Sequence, residues 1–210
     1  MAAPGRYVLG GRAGQTKIAD PRPLETGHSR RNREMTPLSQ ALAAGDREAF
    51  AALYDRLGAR LYRTALTMLA STAEAEDVVH DLFVELAGHR HRLAAVVDLE
   101  GYLFTMLRHA VGRRQRRWSL VRRSIDRLGR ERLDAGGFTT PPAEPRDEAL
   151  AAAVAALPIA QREVVALKID GGLTFAEIAA VIGVSANTAA SRYRYALDKL
   201  RLALAKEMSR

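Results

Sequence analysis

The chain has 210 residues, of which 48% are hydrophobic and only 6% aromatic, and its formal net charge is +8. The absence of cysteine excludes disulfides, thiolate zinc sites and cysteine nucleophiles, and no run approaches the roughly 20 apolar residues of a membrane span. We therefore expect a cytoplasmic protein of one large or two small helical domains, whose surface attracts polyanions such as nucleic acids.

Residues 1–35 combine glycine, proline and arginine without hydrophobic periodicity, as at Gly10–Gly11 and in the basic run at 30–33. Such a segment cannot bury an apolar face, so we predict a disordered basic N-terminal extension. Two interpretations stay open: a basic arm that touches DNA, or a dispensable extension upstream of a start at Met35.

Residues 36–118 are predicted to form a first domain of three main helices. After Asp46, apolar residues recur every three or four positions, which is typical of a long amphipathic helix. Ser71 and Glu74 have capping-box spacing at the start of a second helix, and Asp98 can cap a third. Tyr102, on the third helix, is predicted to pack into the core rather than stack on bases.

Residues 119–146 lose this periodicity and end in a proline-rich stretch, which predicts a flexible linker. Fully extended, its 28 residues would span roughly 90 Å. Two domains joined in this way could bind distant points on a partner.

The second domain, residues 147–210, has the pattern of a helix-turn-helix. Thr174 and Glu177 open a short helix, Gly183 ends it, and Ser185 caps a final helix. The exposed start of that final helix carries side chains that can hydrogen-bond base edges and phosphates. These residues are Ser185, Asn187, Thr188, Ser191, Arg192 and Arg194.

Two charged clusters occupy the first domain and the start of the linker. Arginines are dense between residues 108 and 132, and such a patch suits a phosphate backbone. Asp77, Asp81 and Glu85 recur every four residues on one helical face, which faces either a basic partner or water. A metal site at Asp81, Glu85 and His89 is conceivable, but no fourth ligand is evident, so we predict no metal and no cofactor.

Several motifs resemble the sigma factors of bacterial RNA polymerase, specifically the extracytoplasmic-function (ECF) group. AEDVVHDLF at 75–83 and GYLF at 101–104 resemble sigma region 2. LTFAEIA at 173–179 and NTAASR at 187–192, with LP at 157–158 and QREV at 161–164, resemble region 4. The resemblance spans residues 38–118 and 147–203.

This resemblance implies a non-enzymatic subunit, with no catalytic residue and no small-molecule substrate, that binds core RNA polymerase and promoter DNA. The resemblance also implies an anti-sigma factor as a further partner. It implies no insertion into a membrane. Residues implied to bind polymerase are Asp77, His80, Asp81 and Phe83. Residues implied to bind the minus-ten element are Arg108, His109, Arg113, Arg114, Arg116 and Arg117, while the final helix would read the minus-thirty-five element and the loop before Asp98 would capture a flipped base.

The chain departs from the family pattern at three places. Tyr102 stands where many members have tryptophan, Gly112 lies in a stretch where many have aspartate, and Ala189 replaces a bulky apolar residue in the recognition helix. Two alternative functions stay open. One is a stand-alone helix-turn-helix regulator, and the other is a metal-dependent phosphohydrolase using Asp77, Asp81 and His89.

Overall fold

The computed structural model describes the backbone of residues 30–127 and 145–208, and the side chains of residues 37–118 and 148–206. Within these ranges every regular element is a helix, which confirms the predicted all-α fold. The elements are α1 (Arg30–Ala44), α2 (Arg47–Leu69), α3 (Thr72–Gly88), a 3₁₀ helix (Arg90–Ala95), α4 (Leu99–Arg127), α5 (Pro145–Ala155), α6 (Ile159–Ile169), α7 (Phe175–Ile182) and α8 (Ala186–Met208).

Three side chains cap helix starts in the first domain, among them the predicted caps Ser71 and Asp98. Asp46 Oδ1 accepts a hydrogen bond from the Glu48 amide at 2.8 Å, and Ser71 Oγ accepts one from the Glu74 amide at 3.2 Å. Asp98 Oδ1 accepts from the Gly101 amide at 3.0 Å. These side chains satisfy amides that have no partner within the helix, so they fix where α2, α3 and α4 begin.

Two predicted segment limits differ from the structure. Residues 30–35 were predicted to be disordered but form the start of α1. The first domain was predicted to end at residue 118, yet α4 continues into the predicted linker as far as Arg127. The remaining predictions for the extension and the linker fall on residues 1–29 and 128–144, outside the described residues.

The core of the first domain lies between α2, α3 and α4. On the predicted apolar stripes, Leu57, Leu82 and Leu103 have at most 1% of their surface exposed. Tyr102 packs against this core, as predicted. Burial of each such side chain contributes roughly 1.5–3 kcal/mol to folding, so the stripes account for the packing of the three helices.

The second domain consists of α5 to α8, and its apolar side chains belong to two hydrophobic clusters. Leu157, Val165, Ala196 and Leu200 form a small cluster within the domain. Others, including Val164, Leu167, Leu173 and Ile178, belong to the same buried cluster as the core of the first domain. The two domains therefore pack against each other, with α6 on α2 and α7 on α4.

This closed arrangement was not predicted. Hydrophobic periodicity identifies an apolar face but not the face that covers it, and a linker long enough to separate the domains also permits them to touch. Part of the apolar residues of α6 and α7 therefore covers the first domain.

Candidate functional site

The acidic face of α3 is accessible to a partner. The side chains of Asp77 and Asp81 retain 65% and 68% of their surface, and His80 is also exposed. Phe83 is half-buried and its ring lies 5.1 Å from that of Tyr54, itself exposed on α2. The four side chains proposed to bind polymerase thus lie along α3, with an apolar edge beside the carboxylates.

Arg114 on α4 lies against this acidic face. Its guanidinium is 2.6 Å from Glu74, 3.4 Å from Asp77 and 3.5 Å from Asp81, and only 20% of the side chain is exposed. Burial lowers the pKa of Arg114, but the charges of Glu74 and Asp77 raise it by more, so the pKa ends above its ordinary value. A residue predicted to bind DNA is therefore paired with residues predicted to bind polymerase.

The other candidate minus-ten residues differ in their surroundings. Arg113 is 3.5 Å from Glu85, while Arg108 donates through Nε to Glu163 of α6 at 2.7 Å. Arg116 and Arg117 are exposed. All six candidates lie on α4 between positions 108 and 117, so the helix gathers them on one element.

The electrostatic effect of this arginine cluster is clearest at His109. Partial burial lowers the pKa of its imidazole, and the charges of Arg108, Arg113 and Arg116 lower it further. Crowding of cations around the imidazole indicates a local potential that favours anions.

The loop before α4 contains a half-buried carboxyl group. Val97 is 52% exposed, and burial raises the pKa of Asp98, whose carboxylate caps the helix. Burial also raises the pKa of Tyr102. Base capture by this loop stays a prediction, because the described contacts explain Asp98 as a cap and Tyr102 as a packing residue.

The helix-turn-helix has the predicted local geometry. Thr174 and Glu177 form a complete capping box at the start of α7, and Gly183 ends that helix with φ of 73° in the left-handed region. Ser185 Oγ then accepts a hydrogen bond from the Thr188 amide at 3.0 Å and starts α8. These caps set the turn between the two helices.

Polar side chains at the start of α8 are open to solvent. Ser185, Asn187, Thr188 and Arg194 are exposed, and Ser191 and Arg192 are half-buried. Ala189, which replaces a bulkier residue of the family, is fully buried and belongs to the main core cluster. The small residue thus lies on the packed side of α8, opposite the candidate reading face.

Three hydrogen bonds connect the two domains within the part of the chain that the structure describes. Thr67 Oγ1 donates to Asp170 at 2.7 Å, and Arg108 pairs with Glu163. Arg60 donates both to Glu100 at 2.6 Å within the first domain and to the carbonyl oxygen of Gly171. The guanidinium of Arg60 also lies 5.5 Å from the ring centre of Phe104. These contacts bring the candidate minus-ten surface against α6.

Sequence reasoning did not find Arg60, Thr67, Glu163 or Asp170 as interdomain residues. Their partners lie far along the chain, 103 positions apart for Thr67 and Asp170 and 55 for Arg108 and Glu163. Local periodicity in the sequence does not indicate such a pairing. Each residue alone resembles an ordinary polar surface residue.

Among the side chains that the structure describes, no group of three or more histidine, aspartate or glutamate residues is arranged to hold a metal ion. His89 instead directs Nδ1 at the carbonyl oxygen of Glu85, 3.0 Å away. Within the same described part of the chain, no helix has the length and apolar character needed to cross a membrane.

Comparison with known proteins identifies both domains. Residues 53–132 match the family model for sigma-70 region 2, and residues 147–200 match that for sigma-70 region 4. The chain is 31% identical over 173 residues to the ECF RNA polymerase sigma factor SigL of Mycobacterium tuberculosis, covering 77% of this chain and 92% of SigL. It is 28% identical over 181 residues to the ECF sigma factor SigK of Mycobacterium bovis, covering 84% and 96%.

Solved structures agree with this relationship. The structure of CnrH in complex with the cytosolic domain of CnrY matches with a TM-score of 0.58 and 25% identity, over 81% of this chain and 97% of CnrH. The sigma factor RpoE of Bartonella quintana, in complex with the anti-sigma factor NepR, matches in fold with a TM-score of 0.54 at 20% identity, over 82% and 94%.

The chain therefore belongs to the ECF group of RNA polymerase sigma factors. Sigma factors are transcription initiation factors that associate with RNA polymerase and DNA, and the family is not enzymatic. The predicted family is confirmed, whereas the assignment of individual residues to polymerase or DNA stays a prediction.

Proposed function

We propose that this chain binds core RNA polymerase, recognises the minus-ten and minus-thirty-five promoter elements, and helps to separate the strands at initiation. The observation that carries the proposal is the presence, on one chain, of two accessible surfaces of different chemistry. One is the acidic face of α3 and the other is the polar reading face of α8. A stand-alone DNA-binding regulator would need only the second.

The acidic face would bind a basic helical surface of the polymerase. Asp77 and Asp81 are the most exposed carboxylates that touch Arg114, and an incoming cation can reach both. The edge formed by Phe83 and Tyr54 adds apolar contact area beside them. Charge complementarity would guide docking, and burial of the aromatic edge would supply affinity.

The arginine side of α4 would hold the minus-ten strand. Arginine neutralises backbone phosphates and stacks on exposed bases, so these side chains suit a separated strand. Unstacking a base costs a few kcal/mol, which binding to polymerase can offset. The proposed residues are Arg108, His109, Arg113, Arg114, Arg116 and Arg117.

The start of α8 would enter the major groove at the minus-thirty-five element. Its hydroxyl, amide and guanidinium groups are the types that read base edges there. The turn fixed by Gly183 and the cap at Ser185 present that helix end outward. The proposed residues are Ser185, Asn187, Thr188, Ser191, Arg192 and Arg194.

Promoter binding would require the closed arrangement to open. The two elements are about 25 base pairs apart, or about 85 Å at about 3.4 Å per base pair. In the closed arrangement Arg108 and Glu163 are in hydrogen-bond contact, and Glu163 lies in the domain that reads the distant element. The 17 residues from 128 to 144 can extend to about 60 Å, so the domains and this segment together can span the distance.

We also propose that an anti-sigma factor binds the closed chain. The similar structure of CnrH was solved with a protein partner, the cytosolic domain of CnrY. A partner that contacts both domains at once would stabilise their contact and oppose the opening that promoter binding requires.

The polymerase role is tested by charge reversal on α3. Asp77→Lys, Asp81→Lys and the double variant should weaken binding to core polymerase by about tenfold or more, because they replace attraction with repulsion. Asp55→Lys, at an exposed carboxylate of α2, is the matched control and should bind within about twofold of the parent. Circular dichroism would verify that each variant folds, since exposed substitutions cost little stability. Full binding by the double variant would refute the role of this face.

A further inference from the structure

A cleft lies between the two domains where α4 meets the start of α6. Its volume is about 220 Å³, below the roughly 300–1,000 Å³ of sites for drug-sized ligands, so it suits a small molecule. The first domain supplies one wall with Arg108, His109 and Arg116, and the second supplies the other with Arg162. The polar groups on its two walls thus come from different domains.

The lining of the cleft contains more basic than acidic side chains. Three arginines and one histidine line it, and the one carboxylate in the lining, Glu163, is already hydrogen-bonded to Arg108. No carboxylate among the described residues pairs with Arg162, whose Nη1 donates to the carbonyl oxygen of Ala155 at 2.9 Å. Burial lowers the pKa of Arg162, which means that its charge is only incompletely solvated. An anion in the cleft would relieve that cost.

The helix that forms the second wall also favours an anion. Pro158 precedes α6 and provides no side-chain cap, so the first amides of the helix lack a side-chain partner. Ile159, in the first turn, lines the cleft and is 61% exposed. The cleft therefore combines cations and a helix start with an apolar side chain.

Gly112 on α4 keeps the cleft open. Glycine inside a helix costs about 1 kcal/mol relative to alanine, so its presence calls for a reason. Packing supplies none, because a Cβ atom there would meet only Nη1 of Arg116, at 3.4 Å. Gly112 lines the cleft, and a side chain at this position would occupy part of its volume.

We propose that this interdomain cleft is a binding site for a small ligand that carries a diphosphate group. Two linked phosphates match guanidinium groups on opposite walls, since arginine binds phosphate oxygens in a bidentate manner. The ligand would bridge the domains and stabilise the closed arrangement. The regulatory consequence rests on the proposed function: with Arg108, His109 and Arg116 occupied, the ligand opposes capture of the minus-ten strand.

Binding is tested on the full chain, without polymerase or DNA, by calorimetry with inorganic pyrophosphate, ADP and adenosine. Pyrophosphate and ADP should bind and adenosine should not. Tighter binding of ADP would indicate that Ile159 contacts the nucleoside, whereas equal binding would indicate a site for the diphosphate alone. Failure of both phosphate compounds to bind, or equal binding of adenosine, would overturn the proposal.

Two kinds of variant distinguish a specific binding site from general electrostatic attraction of phosphate to arginine. Arg162→Gln should weaken pyrophosphate binding about tenfold, while Arg47→Gln, which removes the same charge from the first turn of α2, should not. Gly112→Leu should abolish binding with every charge retained, and Gly88→Leu, at an exposed glycine with no atom within 4 Å of its added Cβ, is the steric control. Equal weakening by Arg162→Gln and Arg47→Gln would refute the site.

A spectroscopic measurement reports on the cleft directly. Bound pyrophosphate should raise the pKa of His109 in an NMR titration, since a nearby anion offsets the arginine charges that lower it. The rise should be absent in Gly112→Leu. Binding to core polymerase and to promoter DNA, measured without nucleotides or pyrophosphate, tests the proposed function separately, so a chain that binds both but binds no pyrophosphate would refute only the cleft.

Discussion

Arg108 on α4 donates a hydrogen bond to Glu163 on α6 at 2.7 Å, and the pair joins the two domains. Arg108 is one of the side chains proposed to hold the minus-ten strand, and Glu163 lies in the domain proposed to read the minus-thirty-five element. A contact within the free chain thus uses a group that promoter DNA would need. Single substitutions at this pair can therefore shift the equilibrium between closed and open chains.

Glu163→Gln should shift the chain toward the open arrangement. The substitution removes the carboxylate charge and weakens a charged hydrogen bond between the domains, at a cost of about 1–3 kcal/mol to their contact. Because the chain has no cysteine, two introduced cysteines, at Glu48 and Lys199, would accept dyes for energy transfer. The mean distance between dyes should increase.

Asp198→Asn is the control for Glu163→Gln. It disrupts an ion pair with Arg201 that lies within α8 and is largely exposed. The distance between dyes should remain that of the parent. An unchanged distance in Glu163→Gln as well would show that the Arg108 pair does not hold the domains together.

Arg114→Ala should destabilise the first domain as well as weaken DNA binding. Arg114 is largely buried against Glu74, and removal of its charge leaves the partly buried Glu74 carboxylate without its partner, at a cost of about 1–3 kcal/mol. Arg117→Ala, on the exposed part of the same helix, should change the free energy of unfolding by less than about 0.5 kcal/mol. Urea denaturation of both variants would measure the difference, and equal stability would contradict a structural role for Arg114.

Arg192→Ala should weaken recognition of the minus-thirty-five element. If Arg192 makes a bidentate contact with a base, the loss is about 1–3 kcal/mol and falls mainly on the preferred sequence. Binding of holoenzyme to matched promoter fragments with intact and scrambled minus-thirty-five elements would measure it. A loss of equal size on both fragments would instead assign Arg192 to the phosphate backbone.

The pH dependence of stability should reveal His109. Its folded-state pKa lies below the ordinary 6.5, so the unfolded chain binds more protons between the two values. The contribution of His109 to stability is therefore full above pH 6.5 and is lost as the pH falls toward the lowered pKa. In urea denaturation at several pH values, His109→Gln should reduce the slope in this window, while His91→Gln, at an exposed histidine, should retain it.

The helix starts could be predicted because their signals are local. Asp46, Ser71, Thr174 and Ser185 each accept a hydrogen bond from an amide two or three positions ahead, and the residue types alone indicate that geometry. The reading face of α8 follows from the same logic, since Gly183 and Ser185 set the turn. Sequence and structure agree where the interacting residues are close together in the sequence.

Interactions between distant residues could not be predicted in this way. The acidic face of α3 was expected to meet a partner or water, and Arg114, which lies 40 positions from Glu74, fills part of that role within the chain. The pairing of Thr67 with Asp170 and the shared core of the two domains depend on how the segments are arranged in space. Composition and periodicity do not indicate that arrangement.

Run-off transcription with purified bacterial core polymerase and a library of promoter fragments tests the sigma role most directly. We expect transcripts that depend on this protein and start from a defined subset of fragments sharing two sequence elements. Absence of such transcripts, together with failure to form a complex with core polymerase on a sizing column, would contradict the proposed function.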